Sequence, residues 1–598
     1  MNTTANPSAP RWAWLPAVGT WKYHLLLGAI GILVLGPLGG VAASYMNFSL
    51  GFFVGGQVLA GILGSTVTYG YGSEGKHGAN FIQTCAASVA GMSAMAVVIQ
   101  AMVWMGLPEP PAWALISYML CIGMFGAGVG MLYTPILVDR LQLTYPSGLA
   151  VANILRALTD PKLLKQSVSR LFSGMALGVG GGIAAAKVAV VEAIELSTST
   201  FGAGMIVGAR IGVPAIVGGL VGYMLIPYFV SIGWLKPGEP FRKITFLIAL
   251  GMILGAAIVD LTLVFWNAAK KIRTAEKADV PPQPSWQRTN TTRLVIWVVF
   301  WALGILFTGT QFLNQPAGFL LFAIFLVFIF AMVNGISVGM VDQNPISSAF
   351  VVTVVLMAAI GLKEPIVGLL AASVLLISTS VASDMQQDRS TGWRLGSNRT
   401  LQFRYQVAGI VMGAIMCVVF AKLFMAAYPV LTLDQTTLPA DKQPAQWTSA
   451  MTFKFVGALR NLIDDKPHLR TAIWIGLGIG FVTEFLRKWI KSRKRYWTFV
   501  ASGPVGKTTD FVLDAIILPS PYASSFGGFV NLATSAWFAA GGVFSSLLNA
   551  FKKDDPKDKD VPSDMSTTSL VGGGLIAGDA LAALGLGIVG LVATVAGK

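Results

Sequence analysis

About 15 apolar runs, each about 20 residues long, follow one another with only short polar loops between them. A helix rises 1.5 Å per residue, so a run of that length spans the hydrocarbon core of a bilayer. Nothing in that core can satisfy a stray backbone N–H or C=O, and closed helices answer this constraint. The composition agrees. Of 598 residues 54% are apolar and 12% charged, whereas soluble domains carry about 25% charged residues. These figures exclude a soluble enzyme, a disordered chain and a secreted disulfide scaffold. They predict an all-α, polytopic integral membrane protein with about 16 transmembrane helices, some of them broken or re-entrant.

The net charge of +15 does not point to nucleic acid, because it lies in the loops between apolar runs. Lys270-Lys271-Ile272-Arg273 and the run Arg487 to Arg495 are examples. Cations so placed orient a chain in the bilayer. Cys85, Cys121 and Cys417 lie singly in apolar stretches, and His24, His77 and His468 are far apart. No metal site, cofactor or catalytic residue is expected from them. Gly503-Pro504-Val505-Gly506-Lys507-Thr508-Thr509 imitates the end of a phosphate-binding loop, but Ala501 stands where the pattern needs its first Gly. No enzymatic constellation is present, so the chain is expected not to be an enzyme.

Hydrophilic residues 267–292, with Pro281-Pro282-Gln283-Pro284, divide an N-terminal transmembrane half (1–266) from a C-terminal half (293–598). The second half contains a polar insertion at 429–469, with Trp447 to Leu462 as an amphipathic helix, and a solvated linker at 552–566. Three apolar segments are interrupted by Pro, Gly and Ser: 143–158, 335–348 and 510–525. In Leu143-Thr144-Tyr145-Pro146-Ser147-Gly148, Pro146 lacks an N–H and pushes Tyr145 out of the α region. The segment reads either as a tight loop or as a broken helix. Broken helices at membrane depth are tolerated only beside protein or a watery cavity, and transporter sites are often built from them. Asp342-Gln343-Asn344-Pro345-Ile346-Ser347-Ser348 repeats the polar-Pro-x-Ser plan in the other half, a hint of internal duplication. Leu518-Pro519-Ser520-Pro521-Tyr522-Ala523-Ser524 is the third such segment. Tyr145, Ser147, Asn344, Ser347, Ser520 and Tyr522 are therefore the expected substrate-lining residues.

Ionisable groups within membrane runs are functional candidates by default. Asp579 lies well inside the last run and is the leading proton site, the other reading being a structural carboxyl held by hydrogen bonds or a Lys. Asp342 and Asp384 are further proton-coupling candidates, although Asp384 and Asp388 follow a span and also fit a solvated interface. Arg210, within Gly204 to Gly212, reads as a bidentate clamp for a substrate carboxylate or as the cap of a half-helix.

Taken in order, these segments resemble the oligopeptide transporter family, which includes the yellow-stripe-like metal-chelate transporters. Thr144-Tyr145-Pro146-Ser147-Gly148 resembles its hallmark segment, and Asp342-Gln343-Asn344-Pro345-Ile346 its Asn-Pro segment. Asp384-Met385-Gln386-Gln387-Asp388 with Thr391-Gly392 is similar to an Asp-x-x-x-Asp loop of bacterial members. Leu575-Ile576-Ala577-Gly578-Asp579 is similar to a closing segment that often carries Glu at the last position. The resemblance implies a proton-coupled symporter in a bacterial inner membrane, working as a homodimer. It would import small peptides or metal complexes of siderophore- or nicotianamine-like chelators by alternating access. The rival reading of the same broken helices is a channel or passive facilitator for small polar solutes.

Overall fold

The computed structural model describes residues 12, 14–51, 56–107, 109–143, 145–188, 190–191, 194–275, 284–341, 344, 346–444, 447–463, 467–551 and 566–596. The chain is all-α, as expected. In the first half run α1 (Trp21–Ile30), α2 (Gly36–Ser49), α3 (Gly56–Thr68), α4 (Gly75–Ser93), α5 (Ala96–Trp104) and α6 (Ala112–Thr134). They are followed by α7 (Pro146–Ala157), α8 (Pro161–Lys187), α9 (Thr198–Val207), α10 (Ala209–Met224), α11 (Ile226–Ser231) and α12 (Arg242–Ala275). The second half holds α13 (Thr291–Phe307), α14 (Ala317–Val341), α15 (Ile346–Ala359), α16 (Pro365–Leu395), α17 (Arg399–Ala427) and α18 (Ala450–Ile463). It closes with α19 (Pro467–Lys491), α20 (Lys494–Ala501), α21 (Pro504–Val512), α22 (Pro521–Phe529), α23 (Leu532–Phe551) and α24 (Thr567–Ala596). Among the described residues, 12 helices are long and apolar enough to cross a membrane. Half-length helices α7, α15 and α22 begin at the interruptions, and α18 begins within the expected polar insertion. Helix α12 runs on to Ala275, into the stretch expected to be linker, while residues 552–565 of the second linker lie outside the described residues.

The two halves pack reciprocally. Helix α8 runs along α24 as α19 runs along α12. Helix α4 packs on α17 as α16 packs on α6, and α9 on α23 as α22 on α10. Each contact in one half thus has a partner with the halves exchanged, which extends the duplication hinted at by the Pro motifs. Small residues make the crossings, because lipid offers no hydrophobic drive and close backbone approach must supply the attraction. On α8, Gly174 and Gly178 face Val571 and Leu575 of α24. On α19, Gly476 and Gly480 face Ile248 and Met252 of α12.

Helix α16 is the buried centre. Its most apolar stretch is 94% buried, and it packs against α4, α6, α7, α14, α15 and α18. The Asp384–Gly392 segment, expected as a loop, is helical within α16. The expected solvated interface at Asp388 is corrected too: Asp388 is 1% exposed. A helix wrapped by protein can carry polar groups at its middle because neighbouring helices, not lipid, surround them.

Candidate functional site

The first two broken segments meet on α16. Tyr145, ahead of Pro146 as the first residue of α7, adopts φ 43°, ψ 75°, outside the right-handed helical region as the following Pro requires. Its N–H donates to the Gly339 carbonyl near the end of α14 at 2.8 Å, and its own carbonyl accepts from Leu149 N–H at 2.8 Å. Gly339 allows this approach: a Cβ there would lie 3.1 Å from Tyr145 Cζ. On the other side, the Gly148 carbonyl accepts from Thr391 Oγ1 on α16 at 3.0 Å. Ser147 lies half-buried in the first turn of α7. Asn344, between α14 and α15, accepts from Asn334 Nδ2 at 3.2 Å. Ser347 opens α15 but its side chain is outside the described residues, as is the whole of Asp342.

Around this crossing lies a group of buried polar side chains that is under-satisfied. Asp388 Oδ1 accepts from Gln83 Nε2 at 2.9 Å, and the Asp388 carbonyl accepts from Gln402 Nε2 at 2.8 Å. Arg389 donates to Gln406 Oε1 at 3.2 Å. Asp384 is half-buried and faces Gly91, where a Cβ would be 3.2 Å from its Oδ2. Yet Asn80 Nδ2, Gln83 Oε1, Tyr145 OH, Asn334 Oδ1, Ser383 Oγ, both polar atoms of Gln386 and Arg389 Nη1 have no hydrogen-bond partner among the described residues. Each buried polar atom left so costs about 1–3 kcal/mol.

The reciprocal crossing, between α18 and the end of α2, behaves differently. Ser449 has φ 46°, like Tyr145, and its N–H donates to the Phe48 carbonyl at 2.9 Å. Here the polar groups satisfy one another. Gln100 Nε2 donates to Ser449 Oγ and to the Leu431 carbonyl, each at 2.9 Å, and Thr452 Oγ1 donates to Gln100 Oε1 at 2.6 Å. Asn47 Nδ2 donates to the Ala94 carbonyl at 2.7 Å. This crossing was not among the sequence-based site residues. Its signal was the Thr448-Ser449 pair ahead of an apolar run, a helix-start pattern inside the stretch read as an insertion. Helix α18 also ties the broken segments together, since it packs on α15 and touches α22.

Asp579, 5% exposed, sits near this second crossing. It accepts from Ser199 N–H at 2.9 Å and from Tyr45 OH at 3.2 Å, and a Cβ on Gly182 would lie 2.5 Å from its Oδ1. No cation pairs with it among the described residues. Tyr45 packs edge-on against Trp447, with centroids 5.2 Å apart. Neither Tyr45 nor Ser199 carried a signal in the sequence, because both meet Asp579 from far away in the chain.

The third broken segment lies elsewhere, against α10 and α12. Ser520 precedes α22, and its carbonyl accepts from Ser524 N–H at 2.9 Å. Tyr522 OH donates to Asp260 Oδ2 at 2.9 Å. Asp260 also pairs with Lys488 at 2.9 Å, which reaches Glu484 at 3.4 Å. Arg487 bridges Glu484 at 2.7 Å and Asp514 at 3.2 Å, and Lys491 holds Asp514 at 2.5 Å. Arg210 binds Asp510 at 2.7 Å and Asp514 at 3.0 Å, so its guanidinium is committed to protein carboxylates. Burial pushes the Asp510 carboxyl up, but hydrogen bonds from Tyr496 and Arg210 bring it net below its ordinary value. The structure therefore brings the Tyr145–Gly148 segment, with Ser147, against the end of α14, beyond which Asn344 lies, while Asp384 faces Gly91 of α4. Ser520, Tyr522 and Arg210 belong to the neighbourhood of a charge network, and Asp579 stands at a third place.

A curated relative is the probable metal-nicotianamine transporter YSL8 of Oryza sativa subsp. japonica, 22% identical over 382 residues. The matched stretch covers 54% of this chain and 55% of that relative, so the chain spans about half the length of the protein it matches. Residues 28–589 match the family model described as OPT oligopeptide transporter protein, and the chain belongs to the oligopeptide transporter family.

Proposed function

We propose that this chain is a secondary transporter that imports small peptides or metal–chelate complexes, driven by protons and working by alternating access. One observation carries the reading. Duplication has produced two crossings with the same backbone plan, and one has its polar groups mutually hydrogen-bonded while the other leaves a cluster of them open. The open cluster, around Gln386, Asn334, Ser383 and Tyr145, supplies donors and acceptors to a polar solute at membrane depth. Ser147, Asn344 and Asp384 are the other expected lining residues of this reading; the side chain of Ser347 and the whole of Asp342, expected with them, lie outside the described residues. Asp579 is the proton carrier of this scheme: it is buried, hydrogen-bonded and, among the described residues, without a counter-ion. The YSL8 likeness favours metal–nicotianamine-type chelates, and the family description favours peptides. The bacterial-type Asp384–Asp388 segment supports a bacterial inner-membrane protein, working as a homodimer as its family resemblance implies.

The test is uptake of labelled trialanine and of a ferric chelate into proteoliposomes, with and without an inward proton gradient. Saturable accumulation above the external concentration, dependent on the gradient, is expected. Uptake that only equilibrates would establish the facilitator instead, and accumulation that ignores the gradient would remove proton coupling.

A further inference from the structure

Interior charges need compensation, because a buried ion without a partner is strongly disfavoured. Most of this protein meets that rule. Arg399 pairs with Asp139 at 2.6 Å, and the network around Arg487 balances Arg210, Arg487, Lys488 and Lys491 against Asp260, Glu484, Asp510 and Asp514. Three such cations form no ion pair among the described residues: Arg389, which follows Asp388 in the cluster already described, and two that stand elsewhere. Arg242, at the start of α12, is 2% exposed. Its Nη1 donates to the Thr448 carbonyl at 3.2 Å and its Nη2 to Gln435 Oε1 at 2.9 Å, both neutral acceptors, while Nε has no partner among the described residues. Lys454, half-buried on α18, places its Nζ 3.9 Å from the centre of the Phe529 ring. Among the described residues neither cation has a carboxylate partner. Asp434, next to Gln435, is already held by Arg460.

The two cations flank one aromatic cluster. Arg242 lies over Phe453 at 4.8 Å, the Phe246 ring is 5.4 Å from Phe453 and 6.0 Å from Phe529, and Lys454 lies over Phe529. Three elements, α12, α18 and α22, thus converge with two positive charges, three ring faces and, among the described residues, no acid paired to either charge. Ring faces attract cations weakly and cannot neutralise them. A guanidinium with an open Nε edge and an ammonium nearby form a receptor for a carboxylate.

We propose that Arg242 and Lys454 form a binding site for a carboxylate group of the transported solute, whether a peptide C-terminus or a carboxylate of a chelator. The proposal deepens the transport reading and rests on it. Ring faces beside the charges would take the apolar part of the same solute.

The test is equilibrium dialysis of labelled citrate and labelled trialanine against the purified protein in lipid nanodiscs, with trialanine amide as competitor. Saturable binding of at least one carboxylate is expected, with the amide competing poorly. Lys454→Met should weaken that binding at least about 30-fold, the loss expected when one member of a buried charge pair is removed. Lys454→Arg should keep it within a few-fold. Without ligand, Lys454→Met should be at least as heat-stable as the parent, because it removes an uncompensated charge, and citrate should protect the parent but not the variant. Lys454→Gln repeats the test should the Met variant fold poorly. Absence of saturable binding by both probes, or affinity unchanged in Lys454→Met or Lys454→Gln, overturns the proposal. Gradient-driven uptake in a Lys454 variant whose binding is unaltered would leave the transport reading standing and this inference refuted. Lys454-dependent binding with no uptake would refute the transport reading alone.

Discussion

Gly178→Ala tests the α8–α24 crossing with an internal control two residues away. A Cβ on Gly178 would lie 2.3 Å from the Leu575 carbonyl oxygen, 2.9 Å from Leu575 Cα and 3.0 Å from the Asp579 nitrogen. All three are backbone atoms of α24, so no side chain can rotate away. Ordinary contact starts at 3.4 Å, and the helices must part by about 1 Å to reach it. A gap of that size forfeits about a quarter to a half of each dispersion contact. Overpacking of this kind costs about 1–3 kcal/mol. On Gly180 a Cβ meets nothing within 4 Å, and Gly180→Ala should gain about 0.5–1 kcal/mol from the helix preference for Ala. The same added methyl therefore has opposite signs at the two positions. The assay is the rate of irreversible unfolding in detergent at fixed temperature, followed by tryptophan fluorescence. A loss of 2 kcal/mol falling half on the unfolding barrier speeds the reaction about fivefold. Gly178→Ala unfolding no faster than Gly180→Ala would refute the close-approach argument.

Three further outcomes are expected. Asp579→Asn keeps an acceptor for Ser199 and Tyr45, so it should express and fold normally yet lose proton-driven uptake; normal driven uptake removes Asp579 from the mechanism. Gln386→Leu removes two unsatisfied buried atoms, so stability should hold or rise by about 1–3 kcal/mol while uptake falls at least about tenfold; unchanged uptake removes Gln386 from the solute path. Arg487→Met leaves Glu484, 2% exposed, with only the longer contact to Lys488, and should cost about 3 kcal/mol; an unfolding rate equal to the parent's would show that the charge network does not hold α19 in place.

What the chain discloses by itself is local. Apolar runs and Pro-interrupted segments announce the all-α membrane fold and the starts of α7, α15 and α22, because helix breaking depends on residues one or two positions apart. The neighbours of those segments are not local. Asp384 to Gly392 reads as a loop when the surroundings of α16 are taken to be lipid, and the helices packed on it on every side remove that premise. Arg210 looks like a lone cation because Asp510 and Asp514 lie 300 positions onward in the chain. Helix α18 was visible as a helix. Its burial was not, since polar Gln100, Thr448 and Ser449 become compatible with the interior only through partners on α2 and α5.

The two long reciprocal crossings are built alike but put to unequal use. On α8 and α19 the close-packed glycines are Gly178 and Gly480; on α24 and α12 they are Gly578 and Gly255. One turn beyond Gly480 stands Glu484, whereas one turn beyond Gly178 stands Gly182. Directly after Gly578 comes Asp579, whereas after Gly255 comes Ala256, which is fully buried. The α8–α24 crossing thus carries one acid, Asp579 on α24, whereas the α12–α19 crossing carries two, Glu484 on α19 and Asp260 on α12. Glu484 is held by Arg487 and Lys488, so parting α19 from α12 would strand charges in a low-dielectric interior. Asp579 has hydrogen bonds from Ser199 and Tyr45 and, among the described residues, no counter-ion. Under the proposed proton coupling, protonation of Asp579 would act on the α8–α24 crossing and leave the ion-paired α12–α19 crossing untouched. On that proposal the first would be the contact that moves, and the second the frame it moves against.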